Sequence, residues 1–514
     1  MPAFVPFTNS ISMPPLLVVR DLTAQLEQQN IRYCHWKSNE HVDAAVEGKT
    51  DLDVLVDKSQ KANLEEVLSE VGFKYFEAIS CRRYVGIEDY LAIDPETGIL
   101  VHLHLHYTLE MGEKNLKGYD LPWDELVLSS RIYDSEHHIY ISEPNIEIII
   151  LIVRAALKVR TRDRLQRWLK HDYFKGDFIR EFRWLKDRID LDKVRHLSEK
   201  LLGIAATNLV LEVIGSESKL KKILRLNNPI QVALQPYRRY HPLVATGLRW
   251  QRESENLFYQ ILRKYFQVPV PARRTPVGGG VMIAVLGADG SGKSTITAAI
   301  VKGLSKKLDV MPVYLGSGDG TASWFRMPLV WATRSTKLRS KRSANLATLK
   351  ANPSPGKASS KSKLAHLVKL LWAITLVYEK ENKLKQSRQA SDRGMIIISD
   401  RYPQSQVLGF NDGPLLSNGS NHSPTFPRSL RQWEFDHYQH MAEKMPPDLV
   451  IKLNVTPEVA LARKPESPAE VVRQKVDAIR ALEFPAQTIV VNIDATQPLD
   501  EVLLKAKQAV WETL

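Results

Sequence analysis

The sequence predicts an α/β protein. Its C-terminal half is expected to be a parallel sheet with helices on both faces, preceded by a small α+β domain and a mostly helical region. Three observations carry this expectation. Residues 281–308 read as a strand, a glycine-rich turn and a helix in succession. Further apolar runs follow at Val310–Leu315, Met395–Ser399, Leu449–Leu453 and Thr488–Ile493, separated by helical patterns; such alternation builds parallel sheets. Between the halves, residues 268–280 hold three prolines and a glycine triplet and read as a linker. The predicted organisation is a first domain over 18–125, a helical domain over 126–267, the linker, and a last domain over 281–514.

Taken in chain order, the first 125 residues mix short strands and helices. Gly48-Lys-Thr-Asp-Leu-Asp-Val-Leu-Val56 reads as a strand with Asp51 and Asp53 on one face and Leu52 and Val54 on the other. Two neighbouring carboxylates repel unless cations neutralise them, and Mg²⁺ is one natural reason for the pair. Ile99–Tyr107 reads as a later strand, closing a hairpin through Asp94-Pro-Glu-Thr-Gly98. It carries His102, His104 and His106 on one face. Imidazole is a common metal ligand, but the outer two rings would stand ~13 Å apart on an extended strand, too far to share one ion. The favoured reading is a solvated or partner-covered polar face. Residues 143–265 read as mostly helical, with Arg-rich amphipathic stretches such as 160–175.

After the linker comes the strongest chemical signal. Val281–Leu286 is an apolar run suited to a buried parallel strand. Ile296, Ile300, Val301, Leu304 and Leu308 then mark one face of a helix. Between them stands Gly287-x4-Gly292-Lys293-Ser294, a complete phosphate-binding loop. Glycines let the backbone turn N–H groups inward, and the helix N-terminus adds partial positive charge. The loop residues Gly287, Asp289, Gly290, Ser291, Gly292, Lys293, Ser294 and Thr295 are the predicted ATP-binding set. Two inserts, near 333–363 and 411–427, are rich in small and turn residues and are expected outside the core.

Composition bounds the rest. The chain has 514 residues, 44% hydrophobic and 25% charged, as in a folded globular protein. No apolar run reaches the ~18 residues of a membrane span, and the first residues do not read as a signal peptide. Cys34 and Cys81 are the two cysteines; they form no disulfide framework or zinc spacing, so a reduced, cytoplasmic setting is expected. The net charge of +13 is concentrated. Residues 320–378 lack acids altogether and carry eleven basic residues from Arg326 to Lys369. This 326–369 segment is read as a solvated insert; contact with nucleic acid or an anionic surface is the sharper alternative. A homodimer is one assembly that the sequence allows.

Two resemblances sharpen these readings. His35-Trp-Lys-Ser-Asn39 followed by Asp51-x-Asp53 resembles the nucleotidyltransferase superfamily over roughly 25–110, where a turn holds phosphates and a D-x-D strand holds metals. The resemblance implies a third carboxylate on the later strand, and that position falls near His104. In the last domain four motifs stand in order. Ala288-Asp-Gly-Ser-Gly-Lys-Ser-Thr295, Ile396–Tyr402 with its Asp400-Arg401-Tyr402, Pro447–Lys464 ending in Arg463-Lys464, and Val491–Thr496 together resemble thymidylate kinases. The resemblance implies a P-loop kinase fold that moves the γ-phosphoryl group of Mg-ATP to a nucleotide or other small phosphorylated acceptor, such as a phosphosugar. It also implies roles for single residues. Lys293 would stabilise the transferring group, Ser294 and Asp400 would hold Mg²⁺, Arg401 would meet the acceptor phosphate or the moving group, Arg463 would close on the ATP phosphates, and Asp289 would contact the acceptor's sugar. The segments after Tyr314 and Tyr402 depart from the family, so thymine specificity does not carry over. A non-catalytic nucleotide-binding regulator, and a bifunctional protein with N-terminal nucleotidyl transfer, are the alternatives.

Overall fold

The computed structural model describes residues 14–113, 115–158, 176–215, 223–316, 359–408, 412–416, 426–466 and 468–514. The Arg-rich stretch 160–175, most of the basic 326–369 segment, nearly all of the insert near 333–363 and much of that near 411–427 lie outside the described residues. The chain divides into two compact units, Met1–Gln267 with Ala272–Val277, and Val268–Pro271 with Gly278–Leu514.

The N-terminal unit runs α1 (Leu17–Gln28), β1 (Tyr33–His35), α2 (Val42–Val46), β2 (Leu52–Val56), α3 (Lys61–Val71), β3 (Lys74–Glu77), β4 (Ile87–Ile93) and β5 (Leu100–His106). It continues through β6 (Leu109–Met111), β7 (Tyr119–Leu121), α4 (Asp124–Ser130), β8 (Ile132–Asp134), β9 (Ile139–Ile141) and α5 (Pro144–Lys158). It closes with α6 (Gly176–Lys186), α7 (Leu191–Leu202), α8 (Ile204–Ile214), α9 (Ile223–Ala233), α10 (Pro242–Tyr265) and β10 (Thr275–Pro276). Its mixed sheet has the order β10-β3-β4-β5-β2-β1-β9-β8. The β4–β5 hairpin turns where Asp94 accepts from the Thr97 N–H and hydroxyl at 2.9 and 2.8 Å.

Alternation along β2 and β5 sorts the two faces. Leu52, Val54, Val101, Leu103 and Leu105 join Leu22, Leu26, Leu64 and Leu68 of α1 and α3 in one core. On the other face Cys34, Trp36 and Leu55 join the apolar residues of α5 to α9. The boundary placed at 125/126 therefore needs correction. The helices bury their apolar stripes on the sheet itself, and β8 and β9 extend that sheet beyond β1. The linker is corrected in part too, because Thr275–Pro276 pairs with Phe76 and Glu77 of β3.

The C-terminal unit runs β11 (Met282–Gly287), α11 (Lys293–Leu304), β12 (Val310–Tyr314), α12 (Ser359–Asp392), β13 (Ile396–Asp400), α13 (Arg428–Lys444), β14 (Leu449–Asn454), α14 (Pro457–Arg463), α15 (Ala469–Ala481), β15 (Ile489–Asp494) and α16 (Leu499–Thr513). Its sheet is parallel throughout, in the order β12-β13-β11-β14-β15. Met282, Ala284, Leu286 and Val450 pack on Val377, Leu384, Tyr438, Met441 and Ile479, which covers one face with α12, α13 and α15. On the other face α11 packs on β11–β13 and α16 on β14 and β15. The central place of β11 puts its C-terminal turn where the strand order reverses, the usual ligand crevice of open α/β sheets.

One expectation about the second insert fails. Leu416 and Phe426 are buried against Ala373 in a small core of their own, and Glu434 accepts from the backbone N–H groups of Leu415 and Leu416 at 2.9 and 2.7 Å. Among the described residues no helix is long and apolar enough to cross a membrane. Cys34 and Cys81 are unbridged and buried.

Candidate functional site

The glycine loop joins β11 to α11. Gly292 takes a left-handed φ of +86° as the helix N-cap, and no side chain caps the helix there. The first-turn N–H groups of α11 thus receive no side-chain oxygen, as suits an anion-binding helix start. Gly290 also has positive φ, +85°, and a Cβ there would stand 2.6 Å from the Ala460 carbonyl oxygen. Only glycine satisfies both conditions.

Lys293 is buried and donates to the Ala288 carbonyl at 2.8 Å. Burial, reinforced by the Arg401 guanidinium, pulls its ammonium down to about 8. The Ser294 hydroxyl donates to Asp400 Oδ2 at 2.9 Å, while the other carboxylate oxygen, Oδ1, is buried without a hydrogen-bond partner. These are hard oxygen donors, brought together from 106 residues apart, and an orphaned carboxylate oxygen suits a small dication. Ser291 also buries its Oγ without a partner, and Thr295 is exposed in the first helical turn.

Around this core lies a charged ring. Arg401, with φ +76°, places its guanidinium 3.5 Å from Asp289 and 3.4 Å from Asp412. Asp289 is held at 2.6 Å by Lys475 of α15. Burial pushes its carboxyl up, but the hydrogen bond and charge of Lys475, with Lys293 and Arg401, outweigh this and hold it below the usual range. Arg463 donates to the Gly290 and Ala495 carbonyls at 3.4 and 2.9 Å. It touches the loop's backbone, and at Gly290 it reaches the residue that contacts Ala460. Lys475 and Asp412 escaped the sequence reading. Asp412 sits in an insert assigned to the periphery, and no local pattern ties Lys475 to a residue 186 positions away.

The N-terminal unit carries a second polar cluster. The parallel register of β2 and β5 pairs Asp53 with His104, so the site of the expected third carboxylate is an imidazole. His104 Nδ1 lies 2.8 Å from Asp53 Oδ1, and Lys37 Nζ lies 2.7 Å from the same oxygen. Burial would raise the Asp53 carboxyl, but Lys37, His104 and His106 overcome this and hold it well below its usual range. Burial lowers both His104 and His106 from the ordinary imidazole value, the His104 charge adding to it at His106 and the Asp53 hydrogen bonds opposing. Lys117 is lowered to about 7 by burial and by Lys37. Asp51 does not share this site. It faces His102 Nδ1 at 2.9 Å, and His102 reaches Asp89 at 2.8 Å through its other nitrogen. Burial opposes ionisation of Asp89, yet His102 and Arg274 hold it far below the carboxylate range. The solvated face expected for the histidines is thus corrected: His102 and His106 are 1% and 0% exposed.

The turn between β1 and α2 is clamped from α5. Glu147 accepts from the Asn39 backbone N–H at 3.1 Å and from its amide at 2.7 Å. The left-handed Ser38 (φ 61°) thereby lines a cleft of about 740 Å³ together with Thr50, Arg154 and Lys158, among others.

Comparison with known proteins adds the following. Over 236 residues, 45% of its length, the chain is 33% identical to the uncharacterized ATP-binding protein YghS of Escherichia coli K12, 93% of which is covered. Over 238 residues it is 30% identical to the uncharacterized ATP-binding protein YghR of the same strain, with 86% of that protein covered. No protein-family model matches. Among solved structures, deoxyadenosine kinase from M. mycoides with bound dATP matches 45% of this chain and 98% of that one, at 17% identity and a TM-score of 0.27.

Proposed function

Because the chain belongs to the family of ATP-binding proteins that includes YghS and YghR, we propose that its C-terminal unit binds Mg-ATP and transfers the γ-phosphoryl group to a nucleotide or other small phosphorylated acceptor. That unit has a P-loop kinase-like fold. The observation that carries the reading is the convergence of Lys293, the Ser294–Asp400 pair and Arg401 at the C-terminal end of β11 and β13. A loop that only held a nucleotide would need the first two. A guanidinium fixed between Asp289 and Asp412 adds a charge suited to an acceptor phosphate or to the moving group.

Phosphoryl transfer demands positioning and charge neutralisation more than covalent chemistry. Lys293 supplies a buried cation for the phosphate chain. Ser294 and Asp400 would hold Mg²⁺, which when bound neutralises charge on the β- and γ-oxygens. Asp289, tied to Lys475 and Arg401, would orient the acceptor. Arg463 braces the Gly290 carbonyl, and its reach toward the ATP phosphates would require it to leave Ala495.

The test is a Mg-ATP turnover screen against nucleoside monophosphates, deoxynucleotides and phosphosugars, with Lys293→Ala as control. Transfer to one acceptor class, lost by at least ~100-fold in the variant, is expected. Tight, Lys293-dependent ATP binding with no transfer to any acceptor would replace this reading with that of a regulator. Two-metal nucleotidyl transfer by the N-terminal unit finds less support. His104 stands where a third acid would, and Lys37 already neutralises Asp53.

A further inference from the structure

In the N-terminal unit, we propose that Asp53, His104 and His106 form a binding site for a divalent transition-metal ion. Their ligand atoms are Asp53 Oδ1, His104 Nδ1 and His106 Nε2. The separations are 2.8 Å between Asp53 and His104, 3.2 Å between the two imidazoles and 3.6 Å between Asp53 and His106. A triangle with those sides has a circumradius of about 1.9 Å. Transition-metal bonds to imidazole and carboxylate are ~2.0–2.2 Å, so a point exists just off the plane of the triangle at bonding distance from all three. Among the described residues this is the one group of three such side chains whose ligand atoms all lie within 4.8 Å of one another.

The ligand chemistry favours one class of ion. Two imidazoles and one carboxylate suit Zn²⁺, Fe²⁺ or Co²⁺, whereas Mg²⁺ prefers oxygen. Strand geometry preorganises the set, because His104 and His106 alternate onto one face of β5 and Asp53 lies directly across in register with His104. His106 is fixed edge-on to Trp36, with ring centroids 5.0 Å apart, which limits its rotation. The remaining positions of the ion would take water or an anionic oxygen.

Lys37 supplies the discriminating observation. Its ammonium sits 2.7 Å from the carboxylate oxygen that would bind the ion. Lysine and metal compete for one oxygen, so Lys37 is the counter-ion of the metal-free site and must swing away on loading. Removing it should tighten metal binding, whereas removing a ligand should weaken it. A hydrogen-bond network with no metal role predicts no such opposition.

The experiment is titration of the full chain with Co²⁺, read by visible d–d absorption, and with Zn²⁺ in competition against a chromophoric chelator. One ion per chain at this site is expected, with His104→Asn, His106→Asn and Asp53→Asn each abolishing the Co²⁺ spectrum or weakening binding at least ~100-fold. Lys37→Met should tighten it about tenfold. Circular dichroism checks folding. If the buried His106 variant does not fold, His104→Asn and Asp53→Asn, both partly exposed, carry the test. Lys293→Ala should leave the spectrum unchanged, since this site is independent of the C-terminal reading. The proposal is overturned if no Co²⁺ absorption develops, if the spectrum survives the three ligand variants, if Mg²⁺ displaces Co²⁺ at equal concentration, or if Lys37→Met weakens binding.

Discussion

Replacing Glu147 by glutamine should change how the stability of the N-terminal unit responds to pH. Glu147 is 1% exposed within the Ile-rich helix α5. Burial pushes its carboxyl up from 4.5 to about 7, against the opposing hydrogen bonds from Asn39 and Ser142. An acid whose folded value is raised stabilises the fold fully below its unfolded value. That contribution is lost as pH climbs through the folded value. The window is therefore pH 4.5 to about 7, and the ionised group at pH 8 costs roughly 3 kcal/mol relative to pH 4.5. Glutamine removes the ionisation: its oxygen accepts from the Asn39 N–H, and its amide, standing where Oε2 accepts from Ser142 and from the Asn39 amide, can donate to Ser142 Oγ once the Asn39 amide turns over to present its oxygen there and its NH₂ to His35 Nδ1; Ser142 Oγ can in turn donate to the Trp36 carbonyl at 3.3 Å. Denaturant titrations at pH 5 and pH 8, followed by hydrogen exchange in residues 33–41, isolate this unit from the rest of the chain. The variant should gain on the wild type by up to roughly 3 kcal/mol between the two pH values. Parallel pH dependences in the two proteins would show that Glu147 ionises as easily in the fold as outside it, and the reasoning would fail.

Two further predictions concern the phosphate loop. Gly290→Ala forces a left-handed alanine into contact with Ala460 O, so Mg-ATP affinity should fall at least ~10-fold, or 1.4 kcal/mol; isothermal titration giving an unchanged Kd would refute this. With Lys293 lowered to about 8 in the free protein, a bound phosphate should restore its proton, so ATP binding at pH 8.5 should take up protons and affinity should fall as pH rises further. Calorimetry in two buffers of different ionisation enthalpy measures that uptake, and identical heats would contradict it.

Local chemistry made part of this molecule legible in the sequence. The strand, glycine turn and helix of 281–308 lie within one stretch, and their spacing is set by backbone geometry. The Asp400-Arg401 strand end is likewise contiguous. What escaped depends on register and on distance along the chain. Along β5 the outer histidines stand too far apart to share an ion, whereas the adjacent pair meets Asp53 only because β2 pairs in parallel with β5. Glu147 did leave a signal, a lone acid in the run Ile-Glu-Ile-Ile-Ile-Leu-Ile-Val. Such an acid must find donors in the core, and it finds them in the turn that follows β1. The break set at residue 126 failed because composition changes there while the hydrophobic core does not. α5 to α9 share one core with Cys34 and Leu55 of the large sheet, with Trp36 beside it, and with Leu109, Met111, Tyr119 and Leu121 of the β6–β7 ribbon.

Arg401 connects strain to use in the C-terminal unit. A non-glycine residue at φ +76° immediately after β13 costs about 1 kcal/mol or more. The N–H of Arg401 reaches the Val285 carbonyl at 3.2 Å, which pins that turn to the phosphate-loop strand. From there the side chain passes Gly316, where a Cβ would come within 2.7 Å of Arg401 Cδ and closer still to the Tyr314 ring. Glycine at 316 and arginine at 401 are therefore one arrangement: the first clears the path that the strained backbone of the second requires. A glycine at 401 would relieve the strain at no cost to the sheet, but would leave Asp289 and Asp412 without the cation between them. This arrangement beside the phosphate loop accords with the role proposed for Arg401 toward an anionic acceptor, which would compete with Asp289 and Asp412 for the guanidinium. It is more than the packing of β13 needs.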